Sequence, residues 1–453
     1  MGGGKRKSPE IDGEGTVASP CKSKPSEVYQ RPEDPNLMGI VIGDGEASRA
    51  DGDPRMEEER DPSRTAITDG DADEGRNRSV FLVAGRSDLF RVSKPYVVYK
   101  LDVASAGASS PSPVIRERGV RLKRGTRLKC SGGGKTFISV RSTHRAWIVG
   151  VGGATGDTVI FDTETRKVIL GPDLKSPKWC PVLTAVGDKV YALARCPSWK
   201  DKSGPDFPPW FEVLDLEGAK VVTHEGCDRL EGCSWKSLLI PPCLPWKISP
   251  LEYTMLPITV VWSYVVVNSY ILVSYNQPWG TYAFDTNLDK WHKVDNEELP
   301  FVGCADPLGS IFLGLSDQHG GGINAYCIDV ITSDEDHALK LSITVLQVKY
   351  EGQELDVEPC FSSLENGCFC LPSFSLDTSV MILQPGHGDP FPRKACVNLR
   401  TYQIDNRSLL EASEETLRTM KPVIVFSSQW EQAFTVSSVR HGFSPEAFTL
   451  LSI

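Results

Sequence analysis

The sequence predicts an all-β fold built from one repeated unit, and three observations support this prediction. Forty glycines and 32 prolines among 453 residues indicate many turns. Helical periodicity is hard to find, whereas short apolar runs bounded by turn residues are common. Strand-like runs that end in an aspartate recur along the chain, with aspartates at Asp102, Asp162, Asp215, Asp285, Asp329 and Asp405. A recurrence of this size predicts a β-propeller in which each copy contributes one blade.

The clearest copy of the unit spans residues 281–291, with the sequence TYAFDTNLDKW. Tyr282 and Phe284 alternate with smaller residues, as expected of a half-buried strand. Asp285 then predicts a turn, because a short carboxylate accepts hydrogen bonds from the backbone that follows it. Trp291, six residues later, begins the next strand. We therefore expect Asp285 to stabilise a turn and Trp291 to pack within a blade.

The remaining copies follow in order along the chain. The segment 147–153 runs into Gly152-Gly153, and 159–165 repeats the strand with its aspartate turn. Further strand-like segments occupy residues 80–83, 96–102, 185–193, 211–215, 310–315, 325–329, 367–371 and 401–405. Six aspartates predict six blades. Seven is the alternative, because the strand-like segments 423–426, 433–437 and 446–453 either complete the first blade or belong to a seventh.

Composition divides the chain into a predicted disordered tail, residues 1–78, and a predicted propeller, residues 79–453. The tail has few aromatic residues and carries 12 Lys and Arg against 18 Asp and Glu, so it cannot bury enough apolar surface to fold. Lys5-Arg6-Lys7 resembles a nuclear-import signal, with a solvated basic tail as the alternative reading. The predicted propeller carries 37 basic against 41 acidic residues, a balance that predicts neither nucleic-acid nor membrane binding.

Targeting and redox features agree with a cytoplasmic or nuclear location. The first residues lack the apolar core of a signal peptide, and no run of about 18 apolar residues predicts a membrane span. Thirteen irregularly spaced cysteines, an odd number, are typical of reduced thiols. We expect a monomeric propeller.

Two sets of motifs carry a family resemblance. Gly152-Gly153 with Phe161-Asp162, and Phe284-Asp285 with Trp291, resemble parts of the kelch repeat. The segments 280–286, 159–165 and 186–193, with Trp291 and residues 299–301, resemble the plant family, expanded in grasses, known as domain of unknown function 1668. The resemblance covers residues 80–453. It implies a kelch-like propeller and a plant source, and it carries no catalytic residues.

Motifs that suggest chemistry all have a simpler structural reading. The segment 132–136, GGGKT, imitates the end of a phosphate-binding loop, but Lys129 occupies the position of its first glycine and a strand follows. The segment 150–155 imitates a dinucleotide fingerprint, yet it also precedes a strand. Neither Cys360, Cys368, Cys370 and Cys396 nor Cys227, Cys233 and Cys243 show the paired spacing of zinc sites. We predict no cofactor and no metal.

A basic cluster and four tryptophans remain as candidate binding features. The cluster runs from Arg116 to Lys129 without an aromatic residue, so a solvated face is the default, and the alternatives are an acidic protein partner or, no more favoured, a nucleic acid. The longest predicted loops, residues 197–209, 227–250 and 383–393, carry or adjoin aromatic residues that suit protein recognition. These residues are Trp199, Trp210, Trp235 and Trp246.

The sequence therefore predicts a non-enzymatic module that binds an unidentified protein partner through loops on one propeller face. The alternative is an enzyme, oxidase-like or hydrolytic, whose active site lies at the propeller axis. A cluster of His, Tyr, Cys or carboxylate side chains at the axis would favour the enzyme. Ordinary packing between blades is the competing explanation for each tryptophan.

Overall fold

The fold is an all-β propeller, as the sequence predicts, here seen in a computed structural model. The structure describes residues 79–86, 96–102, 117–121, 125–130, 133–142, 145–197, 207–244, 259–276, 278–317, 322–332, 338–351, 361–364, 367–382, 391–437 and 443–452. The predicted disordered tail, residues 1–78, lies outside this part. The prediction of disorder is therefore untested.

Twenty-eight strands make up most of the described chain. The first half comprises β1 Ser79–Arg86, β2 Val97–Asp102, β3 Glu117–Arg121, β4 Thr126–Arg127, β5 Lys135–Ser142, β6 Arg145–Gly152, β7 Thr158–Asp162, β8 Val168–Leu170, β9 Val182–Val186, β10 Lys189–Leu193, β11 Phe211–Asp215, β12 Lys220–His224, β13 Cys227–Glu231 and β14 Trp235–Ser237. The second half comprises β15 Val261–Val267, β16 Tyr270–Tyr275, β17 Thr281–Asp285, β18 Lys290–Asp295, β19 Phe301–Leu308, β20 Ile311–Ser316, β21 Ile323–Thr332, β22 Leu339–Leu346, β23 Val348–Glu351, β24 Ser362–Leu364, β25 Cys368–Ile382, β26 Phe391–Ile404, β27 Ile424–Ser437 and β28 Phe443–Ser452. A 3-10 turn, Arg407–Leu410, and the helix α1, Glu414–Met420, precede β27.

The described strands hydrogen-bond into five sheets. Their strand orders are β28-β1-β2-β4, β12-β13-β8-β7-β6-β5, β14-β11-β10-β9, β18-β17-β16-β15-β19-β20-β21-β22 and β23-β27-β26-β25-β24. The eight-stranded sheet consists of two antiparallel meanders, β15 to β18 and β19 to β22, joined by a parallel pairing of β15 with β19. Each meander has one edge strand that faces the centre. We call these the inner strands: β28, β5, β9, β15, β19 and β24.

The C-terminal strand completes the first sheet. β28 pairs antiparallel with β1, with Val80 opposite Ser452 and Ala84 opposite Phe448. This pairing resolves one alternative left by the sequence, because the last strand-like segment belongs to the first sheet. It also covers the edge of β1, which would otherwise be open to pairing with another chain. The number of blades, six or seven, stays a prediction.

The hydrophobic core is divided into layers that lie between neighbouring sheets. In β1, Val80 and Leu82 pack towards the last meander, against residues such as Leu399, whereas Phe81 and Val83 pack towards β5 to β7. Side chains that alternate between two buried faces explain why the strand is an unbroken apolar run. The same arrangement recurs between every two consecutive meanders in the described part of the ring.

Three of the recurring aspartates hold turns by accepting backbone hydrogen bonds. Asp162 Oδ1 accepts from the N–H groups of Glu164 and Thr165, at 3.0 and 2.9 Å. Asp285 Oδ1 accepts from the N–H of Asn287 at 2.8 Å, and Asp215 Oδ1 accepts from that of Glu217 at 2.9 Å. These contacts satisfy N–H groups that the turn leaves without a strand partner.

The remaining repeat residues have structural surroundings, and two of them, Asp329 and Asp405, depart from the predicted turn role. Gly152 and Gly153 have φ angles of +111° and +84°, which side chains with a Cβ rarely adopt. Trp291 is buried and donates from Nε1 to the carbonyl of Leu239 at 2.8 Å. Asp329 lies inside β21, opposite Ser342, and receives a hydrogen bond from Arg418 rather than ending a strand.

Asp405 follows β26 directly but contacts the neighbouring strand, not its own turn. Its Oδ1 accepts from Ser427 Oγ at 2.5 Å, and its backbone N–H donates to the carbonyl of Val425 at 3.1 Å. The predicted loop at 227–250 also differs from expectation, because it contains β13 and β14. β13 pairs with β8 of the preceding meander, so this segment extends a sheet instead of forming a free loop.

Candidate functional site

The inner strands converge on a cavity of about 1420 Å³ at the centre of the ring. Every inner strand contributes to its wall, as do segments next to β10 and the 3-10 turn. The wall is partly apolar, with Phe137, Leu183 and Leu450 among its residues. Its polar and ionisable residues include Ser139, Arg141, Arg195, Tyr264, Cys304, Asp306, Ser362, Ser363, Glu411 and Ser452.

A bulge in β19 positions part of the ionisable wall. The register of β19 against β20 shifts between Val302 and Asp306, and Gly303 within the shift has a φ of +74°. On its other edge, β19 pairs with β15, which sets Tyr264 opposite Cys304. Bulges redirect the side chains that follow them and are common beside functional sites. Here the bulge brings Cys304 and Asp306 to the cavity beside Tyr264.

Asp306 is half-buried at the cavity wall and has an altered acidity. Burial raises the pKa of its carboxyl group to about 6, and the one opposing contact is the N–H of Ser363, which donates to Oδ2 at 3.2 Å. In the described part of the chain, no cationic side chain forms an ion pair with it. The hydroxyl of Ser363 is itself buried without a hydrogen-bond partner. At the cavity surface, Asp306 therefore presents acceptor capacity that is unused.

Tyr264 and Cys304 are both held in their neutral forms. Burial raises the pKa of the Tyr264 phenol and of the Cys304 thiol well above their usual ranges, and the nearby Asp306 carboxylate reinforces the effect. A neutral thiol is a poor nucleophile, because the thiolate is the reactive species. The pair can donate hydrogen bonds to a ligand in the cavity, but it is not activated for nucleophilic attack.

The face of the ring at which the inner strands begin forms a second candidate feature. The N–H of Cys180 donates to the carbonyl of Gly134 at 2.7 Å, which joins the beginnings of β9 and β5. The N–H of Val261, the first residue of β15, donates to the carbonyl of Arg195 at 2.9 Å. Arg195 follows β10, whose last residue pairs with the first residue of β9. The three inner strands therefore begin on one face, which we call the starting face.

Two tryptophans are exposed on the starting face. Trp179, next to Cys180, is 47% exposed, and Trp262, the second residue of β15, is 41% exposed. Trp279 lies on the same face, where its ring packs on Tyr275 at the end of β16, with 5.6 Å between ring centroids. Arg195 is also exposed, and its carbonyl accepts from the N–H of Val261, the residue before Trp262. Tryptophan surface exposed in this way is typical of protein-binding sites.

The structure overturns half of the tryptophan prediction. Trp210 and Trp235 are 0% and 2% exposed, so neither can contact a partner. Trp235 Nε1 donates to Thr158 Oγ1 and to the carbonyl of Pro172, both at 3.0 Å, and its ring packs between two meanders. Trp210 packs in the adjacent core layer. Trp199 and Trp246 lie outside the described residues, so their predicted role is untested.

The glycine-rich motif that resembles a phosphate-binding loop leads directly into strand β5. Lys135 begins β5, and its buried Nζ donates to the carbonyl of Gly152 at 2.7 Å and to Asp157 Oδ1 at 2.6 Å. These hydrogen bonds hold the ammonium group of Lys135 within the protein instead of leaving it to bind a phosphate. The neighbouring segment 150–155 likewise joins β6 to β7 with no helix between them.

The other candidate motifs show no assembled site in the described chain. Of the basic cluster, Arg127 and Lys129 are exposed, Arg118 and Arg121 belong to β3, and Arg116, Lys123 and Arg124 lie outside the described residues. Among the described residues, no three His, Cys, Asp or Glu side chains gather closely enough to hold a metal ion. Within the same residues, no helix is long and apolar enough to cross a membrane.

The similarity of the chain to solved structures is remote. The three structures described next are matched with TM-scores under 0.5. The β-propeller domain of Cps50 (Swd1) from Myceliophteria thermophila shares 10% identity over 74% of this chain and 95% of that one, with a TM-score of 0.33. The WD40 domain of SCAP from fission yeast shares 9% identity over 76% and 72%, with a TM-score of 0.27. Apo AztD from Citrobacter koseri shares 11% identity over 83% and 98%, with a TM-score of 0.29.

No curated protein matches the sequence. A family profile does match it, over residues 65–422, which is most of the chain. The motifs around Asp162, Asp285 and Trp291, which carried the resemblance, all lie within that range. The chain belongs to the family described as Protein of unknown function (DUF1668).

Proposed function

We propose that this propeller is a non-enzymatic interaction module whose protein partner docks on the starting face. The observation that carries the proposal is the exposure of Trp179 and Trp262, at 47% and 41%, on one face of the ring. A tryptophan side chain offers both apolar surface and an indole N–H, and it loses little conformational entropy when a partner covers it. Side chains of this type dominate the energetics of many interfaces.

The scaffold beneath these tryptophans supports the proposal. Trp179 adjoins Lys178, whose Nζ forms a buried ion pair with Glu212 Oε1 at 2.5 Å, so the backbone that carries the indole is anchored. Trp262 belongs to β15, which is hydrogen-bonded on both edges, to β16 and to β19. Binding residues held by rigid elements need less ordering when they meet a partner. The partner chemistry that fits this face is an apolar protein surface.

The experiment compares partners captured from an extract of the source organism by the full-length protein and by variants. The double variant Trp179→Ala/Trp262→Ala removes the exposed indoles. Each substitution should cost about 2 kcal/mol of binding free energy if the residue is a hot spot, so partner recovery should fall at least tenfold. Quantitative mass spectrometry of the captured proteins provides the measurement.

The matched control is Leu288→Ala. Leu288 is 69% exposed, and it lies in the turn after β17, at the opposite end of the sheet from the starting face. Partners that dock on the starting face should be recovered equally by this variant and by the unaltered protein. Equal recovery of every partner by the double variant would refute the assignment of the starting face.

A second candidate function is an enzyme that acts at the axis. The convergence of Tyr264, Cys304 and Asp306 at the cavity favours it. The raised pKa values of the phenol and the thiol oppose it, because both groups are protonated at neutral pH. Cysteine reactivity distinguishes the two candidates. A binding module should show slow alkylation of Cys304 by iodoacetamide at pH 7.5, whereas an activated nucleophile would react much faster than free cysteine.

A further inference from the structure

Asp306 has an electrostatic arrangement that the proposed docking face does not explain. Its carboxylate lines the central cavity and accepts one hydrogen bond, from the N–H of Ser363 to Oδ2 at 3.2 Å. No positively charged side chain of the described chain neutralises it. A half-buried carboxylate without a counter-charge is unfavourable, so it either takes up a proton or binds a cation.

The neighbouring wall does not compete for such a cation. Ser363 lines the same cavity, but its Oγ is buried beneath the surface, and its carbonyl accepts from Ser452 Oγ at 2.6 Å. The acceptor that this part of the wall offers to a ligand with N–H donors is the carboxylate of Asp306. The aromatic residues Tyr264 and Phe361 also line the cavity and would contact an attached carbon chain.

The other charged residues of the cavity do not replace such a ligand. Arg141 and Arg195 line the wall, but both are exposed, and neither is close enough to lower the pKa of Asp306. Glu411 lines the wall and is exposed, while Cys304 and Tyr264 beside Asp306 are neutral. A metal ion is a poorer fit, because the described residues offer no group of three His, Cys, Asp or Glu ligands. An ammonium ion needs only one carboxylate and a few acceptors.

We propose that the cavity binds a small organic cation through a primary ammonium group, which donates hydrogen bonds to the carboxylate of Asp306. The carbon chain of the ligand lies against Tyr264 and Phe361. The bulge at Gly303 orients the carboxylate of Asp306 towards the cavity. The site is formed within the ring and does not include Trp179 or Trp262, so it can succeed or fail independently of partner docking.

The test measures binding of n-butylamine and of n-butanol to the full-length protein at pH 7.5, by saturation-transfer NMR titration. The two probes share a carbon chain and differ in charge and in donor count. The unaltered protein should bind the amine at least tenfold more tightly than the alcohol. Asp306→Asn, which keeps the shape and removes the charge, should lose at least tenfold in amine affinity and leave the alcohol unaffected.

Two further measurements make the result specific. Glu411→Gln removes another cavity carboxylate and should bind the amine as the unaltered protein does. Lowering the pH from 7.5 to 5 should weaken amine binding severalfold in the unaltered protein and in Glu411→Gln, because the carboxyl of Asp306, with a pKa of about 6, becomes protonated. The Asp306→Asn variant should show no such change.

Several outcomes would overturn the proposal. They are equal affinity for amine and alcohol, no saturable binding of the amine, or amine affinity in Asp306→Asn within twofold of the unaltered protein. Circular dichroism of the Asp306→Asn variant separates loss of binding from loss of fold. A folded variant that fails to bind supports the site, whereas a folded variant that still binds excludes it.

Discussion

At the scale of single residues, Asp306 is the clearest case of a side chain that lowers the free energy of unfolding of the propeller at neutral pH. Its carboxyl pKa is about 6 in the folded protein, above the ordinary value of an aspartate, because burial disfavours the charged form. A raised pKa means that the folded state binds a proton more tightly than the unfolded state does. Its contribution to stability is thus fully present below about pH 4 and is lost as the pH rises through about 6.

The Asp306→Asn variant should therefore be more stable than the unaltered protein at pH 7.5. A shift of about two pKa units corresponds to roughly 3 kcal/mol, and partial exposure reduces the expected gain to about 1–2 kcal/mol. The amide oxygen can still accept from the N–H of Ser363. Urea unfolding at pH 7.5 and pH 4.5, without ligand, measures the effect.

At pH 4.5 the gain should fall to less than half of its value at pH 7.5, because the carboxyl group is then largely protonated in the folded state but still largely ionised in the unfolded state. A partly exposed aspartate that holds a turn serves as the control. Asp162→Asn preserves the turn-forming oxygen and should alter the free energy of unfolding by no more than about 0.5 kcal/mol. A loss of stability in Asp306→Asn at pH 7.5 would contradict the assignment of an uncompensated carboxylate.

Single residues also mark the limit of what the sequence could predict. The turn roles of Asp162 and Asp285 follow from local chemistry, because each contacts N–H groups two or three positions ahead. Asp306 carries no local signal, since its partner Ser363 is 57 residues away. Trp210 adjoins the predicted loop 197–209, yet it is buried in a core layer between two meanders. Tertiary packing, not local pattern, decides which tryptophans are exposed.

At the scale of secondary-structure elements, a buried ion pair fastens the connection between β8 and β9. Lys178 and Glu212 have fully buried side chains, and Nζ lies 2.5 Å from Oε1. Glu212, in β11, also accepts from the N–H groups of Lys175 and Ser176, at 3.0 and 3.4 Å. One carboxylate therefore holds three of the four residues that lead directly to Trp179.

Removing the charge of this carboxylate should be strongly destabilising. Glu212→Gln keeps the shape but leaves the ammonium of Lys178 buried without a counter-charge, which should cost about 3 kcal/mol. Chemical unfolding followed by circular dichroism measures the loss. Glu164→Gln, at an exposed turn position, is the matched control and should change stability by less than about 0.5 kcal/mol.

Partner binding to the starting face offers a second measurement on the Glu212→Gln variant. If the ion pair sets the backbone of residues 175–178, crosslinking of a starting-face partner should weaken in Glu212→Gln as well. A variant as stable as the unaltered protein would show that the pair is not coupled to the rest of the ring. Sequence alone could not reveal this contact, because Lys178 and Glu212 lie 34 positions apart and have no shared motif.

At the scale of the whole molecule, closure of the first sheet by β28 joins the two ends of the propeller. Pairing between β1 and β28 runs from Val80 opposite Ser452 to Arg86 opposite Phe443. Leu450 and Leu451 from this strand enter two different core layers. Loss of β28 would expose an edge and open both layers.

Deletion of residues 443–453 should therefore abolish cooperative folding. The exposed edge of β1 would pair with other chains, so soluble aggregates are expected in size-exclusion chromatography together with a broadened thermal transition. Deletion of residues 1–64, which precede the family match, is the control. That variant should remain monomeric with an unchanged melting temperature, and aggregation of both variants alike would contradict the role assigned to β28.

The repeat pattern was sufficient to predict the propeller because turn-forming aspartates and apolar strands are local signals that recur. Asp329 shows where such counting fails, since its strand continues past it to Thr332 and the carboxylate contacts Arg418 instead. The direct pairing of β15 with β19 was also unpredictable. It depends on two strands 40 residues apart meeting edge to edge beside the bulge at Gly303.

That pairing has a mechanical consequence for the ring. Among the inner strands of the described chain, β15 and β19 pair with each other strand to strand, whereas β5 and β9 are joined at the starting face by the backbone bond from Cys180 to Gly134. The parallel pairing at the wall of the cavity fixes the position of β19 relative to β15. Tyr264 and Asp306 should therefore keep their spacing if the cavity widens to admit a molecule.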